Sequence, residues 1–464
     1  MAKGDRINVS CPSGFPEFLP GEKRLELQIL DKIRGVFERY GFVPIETPAV
    51  ERLEVLQAKG NQGDNIIYGL TPILPPNRQM EKEQAGDTAP EARALKFDQT
   101  VPLAAYVARH LNELTFPFAR YQMDMVFRGE RAKDGRYRQF RQCDIDVVAR
   151  GELSLLYDAQ MPAIIAEIFE ALQIGEFLIR INNRKILTGF FESIDLIVEK
   201  ITPCIRVVDA IEKIGVNGVR KQLGAEGLSE TQVGQVIDFT QVRGNADSVI
   251  SKLKTLLPVE QRSKTLETGL AELEAVVEGI RNLGVSDQRF CIDLSIARGL
   301  DYYTGTVYET TLLGHEALGS ICSGGRYEDL VGMFLGEKMP GVGISIGLTR
   351  LMSRLIKAEI LKPLSASSAD VMVLNVQKEL MSTYLEISQQ LRRAGIKVLT
   401  NFEGRALGKQ IQSADKQGIA LCVIIGSAEL EEQKCALKNL RTGEQIKVGL
   451  AELTEVIQQQ LAAG

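Results

Sequence analysis

Residues 118–148, FARYQMDMVFRGERAKDGRYRQFRQCDIDVV, constrain the fold more than any other segment of the chain. Two runs with strand-like composition flank RAKDGRY, and the dipeptide Asp134-Gly135 inside it is a strong β-hairpin turn signal. Alternate side chains of each strand in such a hairpin point to opposite faces of the sheet. The sequence therefore predicts an antiparallel sheet with a hairpin at this place.

The second strand of this hairpin separates a core face from a chemically unusual face. Cys143, Ile145 and Val147 share the odd-numbered face and suit a core. The even-numbered face carries cations, an aromatic ring, an amide and two carboxylates, namely Arg136, Arg138, Phe140, Gln142, Asp144 and Asp146. Aspartate is disfavoured in strands unless something requires it. This face either binds a ligand or is a solvated face with ordinary ion pairs, and the hairpin alone leaves both interpretations open.

Three sets of charged and glycine-rich residues favour the ligand. Residues 128–141 contain six basic and two acidic side chains, a local excess that suits a polyphosphate. In ICSGGRYEDLVG (321–332) two glycines precede Arg326 and allow a ligand to approach the backbone. GVGISIGLTRLM (341–352) is typical of a strand, a glycine break and a helix with Arg350 near its start, where phosphate is favoured. Because P-loop and dinucleotide glycine patterns are missing, a nucleotide site would use arginines on an antiparallel sheet.

The segment ARGLDYYTGTVYE (297–309) is a further candidate. Its second half belongs to a β-branched and aromatic run, 304–311, that is typical of a strand. The preceding Asp301, Tyr302 and Tyr303 are too polar for a core and too aromatic for a simple solvated loop.

Composition excludes several classes of chemistry. The only histidines among 464 residues are His110 and His315, and neither lies in an HExxH pattern, which excludes metalloprotease chemistry and argues against a histidine-dependent triad. Seven cysteines without a CxxC pair argue against a disulfide framework and a cysteine zinc site. We therefore predict no metal site formed by protein side chains. The N-terminal residues show no signal-peptide pattern, and the apolar runs are shorter than the ~18 residues of a membrane span. We therefore predict a cytoplasmic protein that does not enter a membrane.

The chain is long enough for about three domains. Helical periodicity covers 186–290, with a capping box expected at Ser229 and Gln232. After the Pro/Ser-rich joint 361–370, short apolar runs alternate with helical patterns and predict a small α/β domain. The predicted domains are a catalytic domain, 1–185 with 291–360, a helical insertion, 186–290, and a C-terminal α/β domain, 371–464.

In combination these segments resemble the class II aminoacyl-tRNA synthetases, and specifically the histidyl-tRNA synthetase family. PSGFPEFLP (12–20) is similar to the family's N-terminal entry, GFVPIETPAVE to motif 1, FRGERAKDGRYRQFRQCDID to motif 2 and GVGISIGLTRL to motif 3. LKFDQTVP, RGLDYYTG and SGGRYEDL resemble the signatures that separate the histidine enzyme from its class relatives. The resemblance implies an α+β fold, with an antiparallel sheet flanked by helices, a helical insertion and a C-terminal α/β anticodon-binding domain.

The same resemblance implies roles for individual residues. Arg298 and Arg128 fall at the catalytic positions that meet the α-phosphate. The positions implied for histidine are Asp98, Thr100, Gln142, Asp146, Tyr302 and Tyr303. Those implied for ATP are Arg128, Glu130, Arg136, Phe140, Arg326 and Arg350. Pro48 falls at the dimer interface of motif 1. Lys96, Gln99, Asn183 and Gln160 depart from the family pattern, but none falls at the reacting centre.

The implied reaction is the ATP-dependent attachment of L-histidine to tRNA(His) by a cytoplasmic homodimer, with ATP bound as its Mg²⁺ complex. Histidine's carboxylate attacks the α-phosphorus to give histidyl-adenylate and diphosphate, and a terminal ribose hydroxyl of the tRNA then takes the acyl group and releases AMP. Three alternatives remain at this point. They are a synthetase-like regulatory subunit of histidine biosynthesis, a sister class II synthetase for proline or threonine, and a scaffold whose basic hairpin is only a solvated face.

Replacing the RGLDYY arginine tests the implied chemistry. Arg298→Ala is expected to keep the fold and to lower adenylation by roughly 10² to 10³, because one fixed positive charge at the transferring phosphate is lost. ATP–pyrophosphate exchange with histidine measures the effect. Near-normal exchange in that variant would refute the role.

Overall fold

The computed structural model describes residues 7–58, 66–71, 73, 92–131, 135–297, 299 and 303–462. Its backbone contacts divide the chain into two units. The first consists of Met1–Pro16 and Ile29–Leu361, and the second of Glu17–Gln28 and Lys362–Gly464. The helix α1 (Pro20–Arg39) begins in the second unit and ends in the first.

Nine strands among the described residues form one sheet in the first unit. In spatial order they are β1 (Val43–Pro44), β5 (Phe118–Phe127), β6 (Gln139–Val148), β12 (Gly341–Gly347), β11 (Cys322–Tyr327), β10 (Thr306–Leu312), β7 (Phe177–Asn183), β9 (Phe290–Asp293) and β8 (Arg243–Gly244). The pairs β1 with β5 and β7 with β9 are parallel, and the other pairs in this sheet are antiparallel. The predicted mainly antiparallel sheet is confirmed.

The predicted hairpin is the pair β5 and β6, whose register runs from Phe118 opposite Val148 to Phe127 opposite Gln139. Cys143, Ile145 and Val147 are fully buried, as their shared face predicts. The opposite face of β6 is also buried in the C-terminal half of the strand, where Asp144 and Asp146 are 3% and 4% exposed. The interpretation of this face as simply solvated is therefore wrong for the two aspartates. The predicted turn dipeptide begins at Asp134, which lies outside the described residues.

A small sheet and two helices lie next to this hairpin. The sheet contains β2 (Val50–Arg52), β4 (Arg93–Leu95) and β3 (Gly69–Leu70), and the helices are α2 (Leu53–Gln57) and α3 (Thr100–Arg109). Leu103 and Val107 of α3 pack against Phe118 of β5 and Val148 of β6. This packing fixes the start of α3, where Thr100 lies, relative to the hairpin.

Helices occupy most of the segment 184–282, in agreement with the predicted periodicity. Those in the segment are α5 (Arg184–Ser193), α6 (Val198–Asp209), α7 (Ile211–Ala225), α8 (Glu230–Thr240), α9 (Ala246–Leu256) and α10 (Lys264–Asn282). The helix α4 (Leu156–Leu172) precedes the segment. The expected capping box forms, because the Ser229 hydroxyl accepts from Gln232 N and the Gln232 side chain accepts from Ser229 N. Phe190 of α5 and Phe239 of α8 stack with ring centroids 4.1 Å apart. Two short helices follow the main sheet's later strands, α11 (Gly332–Leu335) and α12 (Leu348–Lys357).

The second unit is an α/β domain, as predicted. Its described strands are ordered β14 (Val398–Thr400), β13 (Val371–Val373), β15 (Leu421–Ile424), β16 (Lys434–Asn439) and β17 (Gln445–Gly449). Its helices after residue 361 are α13 (Met381–Arg393), α14 (Leu407–Lys416), α15 (Ser427–Glu431) and α16 (Leu453–Ala462). Arg24 at the start of α1 belongs to this unit, where its guanidinium donates to the carbonyl oxygen of Ser365 at 2.6 Å.

None of the helices in the described part of the chain combines the length and the apolar character that crossing a bilayer requires.

Close backbone packing in β12 generates a stability prediction. A Cβ at Gly343 would collide with the Asp146 carboxylate and the Ile145 carbonyl, whereas a Cβ at Gly347 in the same strand would meet nothing within 4 Å. Gly343→Ala is expected to lower the free energy of unfolding by about 3 kcal/mol, because the backbone carbonyl cannot move away. Gly347→Ala is the matched control and should cost less than about 1 kcal/mol. Chemical denaturation measures both, and equal losses in the two variants would contradict the prediction.

Candidate active site

A cavity of about 900 Å³ opens over the end of the hairpin in the first unit. Its wall includes side chains of β6, β11, β12 and α12 together with the loops before α3 and β10. Along β6 the lining runs from Arg136, ahead of the strand, through Phe140 and Gln142 to Asp144. Successive members of one face lie about 7 Å apart, so cation, aromatic ring, amide and carboxylate follow one another across the cavity.

Among the described residues, five arginines supply positive charge to the cavity wall: Arg128, Arg131, Arg136, Arg350 and Arg354. Arg128 is held in place, because its Nε donates to the Phe97 carbonyl at 3.0 Å and its guanidinium carbon lies 5.1 Å from the Phe140 ring centroid. The Glu130 carboxylate lies 4.0 Å from the Arg136 guanidinium. Such a concentration of guanidinium groups is complementary to phosphate oxygens.

Two of these arginines come from the same helix. Arg350 and Arg354 lie one turn apart in α12, which begins directly after the glycine break at Gly347. Residues four apart on a helix share one face. The buried Nη1 of Arg354 has no hydrogen-bond partner among the described residues. Both arginines line the cavity, so α12 contributes two positive charges to its wall.

Acceptor oxygens without donors lie in the cavity wall on β6. Gln142 Nε2 donates to Ser345 Oγ at 2.9 Å, and the Gln142 carbonyl accepts from Gln99 Nε2 at 3.1 Å. Gln142 Oε1 and Asp144 Oδ1 are buried and accept no hydrogen bond from any residue that the structure describes. Buried polar atoms are nearly always hydrogen-bonded in folded proteins. Both residues line the cavity, and these two buried oxygens have accepting capacity that no described residue uses.

Burial changes the acid–base properties of the two aspartates. Desolvation raises the pKa of Asp144 to about 7 and the pKa of Asp146 to about 6, although the Arg120 guanidinium opposes both shifts. Arg120 Nη2 lies 2.5 Å from Asp146 Oδ2, and the Tyr327 hydroxyl donates to Asp146 Oδ1 at 3.1 Å. Burial also raises the pKa of Tyr303 far above its ordinary value, and the negative charges of Asp146 and Asp144 add to this shift. The Tyr303 hydroxyl therefore stays neutral.

Most of the residues predicted for the site lie together in the cavity wall. They are Asp98, Thr100, Arg128, Glu130, Arg136, Phe140, Gln142, Tyr303 and Arg350. Asp146 and Arg326 do not line the cavity. Arg298 and Tyr302 lie outside the described residues. Pro48 is exposed between β1 and β2.

Arg326 differs from the expectation of direct ATP contact. Its Nε lies 3.0 Å and its Nη2 2.5 Å from the Asp158 carboxylate in α4, and Nη2 also donates to the Leu153 and Ser154 carbonyls at 3.1 Å. Both Arg326 and Asp158 are buried. These partners direct the guanidinium into protein rather than into the cavity.

The sequence interpretation did not assign Arg131, Arg354 or Asp144 to the site, although all three line the cavity. Asp144 shares its strand face with Gln142, and Arg354 follows Arg350 by one helical turn, so both carried a periodicity signal. Arg131 carried no signal beyond the local positive charge.

Two departures from the family pattern take structural positions beside the site. The fully buried Lys96 donates through Nζ to the Thr47 carbonyl at 2.9 Å and lies 2.5 Å from Asp124 Oδ2. Gln99 Nε2 donates to the carbonyls of Asp124 and Gln142, each at 3.1 Å. These contacts tie the segment before α3 to both strands of the hairpin.

Comparison with known proteins gives matches over the whole chain. The family model described as histidyl-tRNA synthetase matches residues 14–351, and the anticodon binding domain model matches residues 370–460. Proteins named histidine–tRNA ligase from Nostoc punctiforme and Stenotrophomonas maltophilia are 69% and 43% identical to the chain. The alignments cover 100% of both chains in the first case and 98% of both in the second.

Solved structures agree with the sequence matches. A crystal structure of histidyl-tRNA synthetase from Nostoc sp. PCC 7120 superposes with a TM-score of 0.89 at 64% identity, over 98% of this chain and 100% of that one. A Bacillus halodurans protein titled ATP phosphoribosyltransferase regulatory subunit/histidyl-tRNA synthetase shares the fold, with a TM-score of 0.71 at 19% identity, over 89% of this chain and 97% of that one. Taken with the motifs and the arginine-lined cavity on an antiparallel sheet, these matches show that the chain belongs to the histidyl-tRNA synthetase family of class II aminoacyl-tRNA synthetases.

Proposed function

We propose that the cavity over β6 is where this histidine–tRNA ligase forms histidyl-adenylate from L-histidine and ATP and then transfers the histidyl group to tRNA(His). One observation carries the proposal. Polar side chains of Asp98, Thr100 and Gln142 line the same wall as the described arginines Arg128, Arg131, Arg136, Arg350 and Arg354. An amino acid with an ammonium group and a ring N–H supplies the donors, and the ATP phosphates supply the negative charge.

We assign the histidine substrate to the acceptor-rich part of the wall. Asp98, Thr100 and Gln142 hold the α-ammonium group, and Tyr303, with Tyr302 beside it in sequence, lies against the ring. Support comes from the cavity lining, which includes Asp98, Thr100, Gln142 and Tyr303. Asp146 contributes from beneath the wall, where Arg120 and Tyr327 hold its carboxylate.

We assign ATP to the arginines. Arg128, Arg136 and Arg350 bind the phosphates, and Phe140 packs against the adenine. These residues line the cavity together. Arg326 serves this subsite indirectly, because its carbonyl accepts from Thr304 N at 2.8 Å and its side chain fixes β11 to α4. It thereby positions the chain that follows Tyr303.

ATP is bound as its Mg²⁺ complex in this proposal. The residues present fit the ion, since Mg²⁺ commonly uses phosphate oxygens, water and one or two carboxylates rather than a cage of protein ligands. Glu130 lies in the lining and is only loosely paired with Arg136, so its carboxylate would hold the ion with the phosphates. The ion would neutralise phosphate charge.

Positioning and fixed charge account for the reaction. The histidine carboxylate is the nucleophile in the first step and the tRNA ribose hydroxyl in the second, so neither step requires a nucleophilic side chain. Arg128, anchored to the Phe97 carbonyl, meets the negative charge that develops at the α-phosphate, and Arg298 supplies a second cation there. Donors fixed before the reaction stabilise such charge without reorganising.

Further parts of the chain serve the tRNA and the assembly in this proposal. The domains are 1–185 with 291–360 for catalysis, 186–290 as the insertion, and 371–464 for the anticodon. The enzyme acts in the cytoplasm as a homodimer through motif 1 around Pro48. Val43 and Val50 on either side of Pro48 are 46% and 39% exposed, and their apolar surface supports an interface there.

Amino-acid-dependent exchange tests the proposed function. ATP–pyrophosphate exchange measured with each amino acid in turn is expected to be stimulated by histidine alone, because a site built to hydrogen-bond a ring rejects analogues lacking it by roughly 10⁴. Stimulation by proline or threonine would indicate the sister enzyme instead. Absence of stimulation by any amino acid would indicate the regulatory subunit.

A matched pair of arginine variants tests the ATP assignment. Arg136→Ala is expected to raise the KM for ATP about tenfold and to leave the KM for histidine unchanged. A tenfold change is the lower end of the range for losing a hydrogen bond to a charged group, as suits an exposed side chain. Arg150→Ala is the control, because Arg150 has a comparable exposed side chain, 48% against 59%, and lies outside the cavity lining. Steady-state exchange kinetics separate the two constants. An unchanged KM for ATP in Arg136→Ala contradicts the assignment.

A further inference from the structure

We propose that Ser353 of α12 is a positioning residue for ATP, which holds the end of the hairpin so that Arg136 faces the bound phosphates. The inference deepens the proposed function and rests on it, because the proposed function assigns Arg136 to the phosphates. Ser353 does not line the cavity. It acts instead through Tyr137, the residue that follows Arg136 in the chain.

The Arg136 side chain depends on its backbone for its place in the cavity wall. It lines the cavity, and 59% of the side chain is exposed. The Glu130 carboxylate lies 4.0 Å from its guanidinium, and an exposed ion pair at that distance contributes little. A long exposed side chain also keeps much of its rotamer freedom. The contacts that fix the backbone on either side of Arg136 therefore decide how well its guanidinium meets the phosphates.

Ser353 fixes the chain on the C-terminal side of Arg136. The hydroxyl groups of Tyr137 and Ser353 share a hydrogen bond of 2.7 Å, and both residues are partly buried. The helix that carries Ser353 is itself anchored in the core by the buried side chains of Leu351, Met352 and Leu355. The hydrogen bond therefore ties the chain next to Arg136 to a rigid element, which is the kind of support that a binding site requires.

Arg354, the next residue of α12, fixes the chain on the N-terminal side of Arg136. Gly135 is buried, and a Cβ built on it would lie 2.5 Å from Arg354 Nε and 3.0 Å from Arg354 Nη2. The guanidinium therefore packs directly on the Gly135 backbone. Gly135 has a φ of +73°, a conformation that side chains rarely adopt, so glycine is required here for two reasons. Two adjacent residues of one helix thus contact the two neighbours of Arg136.

Two further hydrogen bonds extend this support along the chain. The hydroxyl of Thr349, one turn before Ser353, accepts from Arg141 N at 2.9 Å. Residues four apart on a helix share one face, so a single face of α12 follows this side of the hairpin. Arg138 N donates to the Gly14 carbonyl at 2.7 Å. Because these contacts remain when the Ser353 hydroxyl is removed, we expect its loss to change the position of the Arg136 side chain and not the fold.

A mutant cycle on the full chain tests this assignment by steady-state ATP–pyrophosphate exchange with histidine. Ser353→Ala is expected to raise the KM for ATP about fivefold, the effect of one neutral hydrogen bond, and to leave the KM for histidine unchanged. In the Arg136→Ala background the same substitution should change the KM for ATP less than about twofold, because the side chain through which Ser353 acts is missing. Tyr137→Phe removes the other hydroxyl of the pair and should reproduce the fivefold rise. Ser353→Thr keeps the hydroxyl and should restore the KM for ATP.

Ser388→Ala is the matched control. The Ser388 hydroxyl of α13 accepts from the Thr400 hydroxyl of β14, also at 2.7 Å, and both residues lie in the second unit and outside the cavity lining. Removing this hydroxyl should leave the KM for ATP unchanged.

Three outcomes overturn the proposal. They are an unchanged KM for ATP in Ser353→Ala and Tyr137→Phe, an equal rise in the KM for histidine, and a fivefold rise in the KM for ATP that persists when Arg136 is already alanine. Loss of histidine-dependent exchange in the unmodified chain would instead contradict the proposed function itself.

Discussion

The buried guanidinium of Arg120 is the interaction on which the rest of the site depends. Two aspartates one pleat apart on β6 are almost completely removed from water, and an uncompensated buried charge costs several kcal/mol. Arg120 on the neighbouring strand pairs with Asp146 and lowers the pKa of both carboxyl groups. When both carboxyl groups are ionised, one cation between two carboxylates leaves a net negative charge at this end of β6. That charge suits a cationic amino acid group above it.

The opposite charge is provided on the same sheet without a glycine-rich phosphate loop. Arg128 and Arg136 flank the hairpin turn, and Arg350 and Arg354 project from the first turns of α12. Alternation along β6 and the residues just before it therefore orders the cavity wall from the cation Arg136 to the carboxylate of Asp144. Under the proposed function, this order separates a polyphosphate from an amino acid while keeping the two reacting groups adjacent, which is the main requirement of a reaction driven by positioning.

Support for these groups comes from polar contacts behind them. Gln99 links the backbones of β5 and β6, Lys96 ties the segment before α3 to Asp124, and Arg326 joins β11 to Asp158 in α4. Each contact is buried or partly buried, so its polar atoms exchange little with water. Such contacts restrict the movement of the side chains that line the cavity, in keeping with the general need for rigid support around a binding site.

The sequence by itself determined the hairpin, the core face of β6, the capping box at Ser229, the α/β character of the last domain and the family, because these depend on local periodicity, turn chemistry and motif order. It also placed Phe140, Gln142 and Asp144 on one face. Only the tertiary structure decided that Arg120 pairs with Asp146, while Asp144 Oδ1 has no donor among the described residues, and that Arg326 pairs with Asp158, 168 residues away. Those outcomes depend on which strands and helices become neighbours, and the pattern of a single segment contains no information about its neighbours.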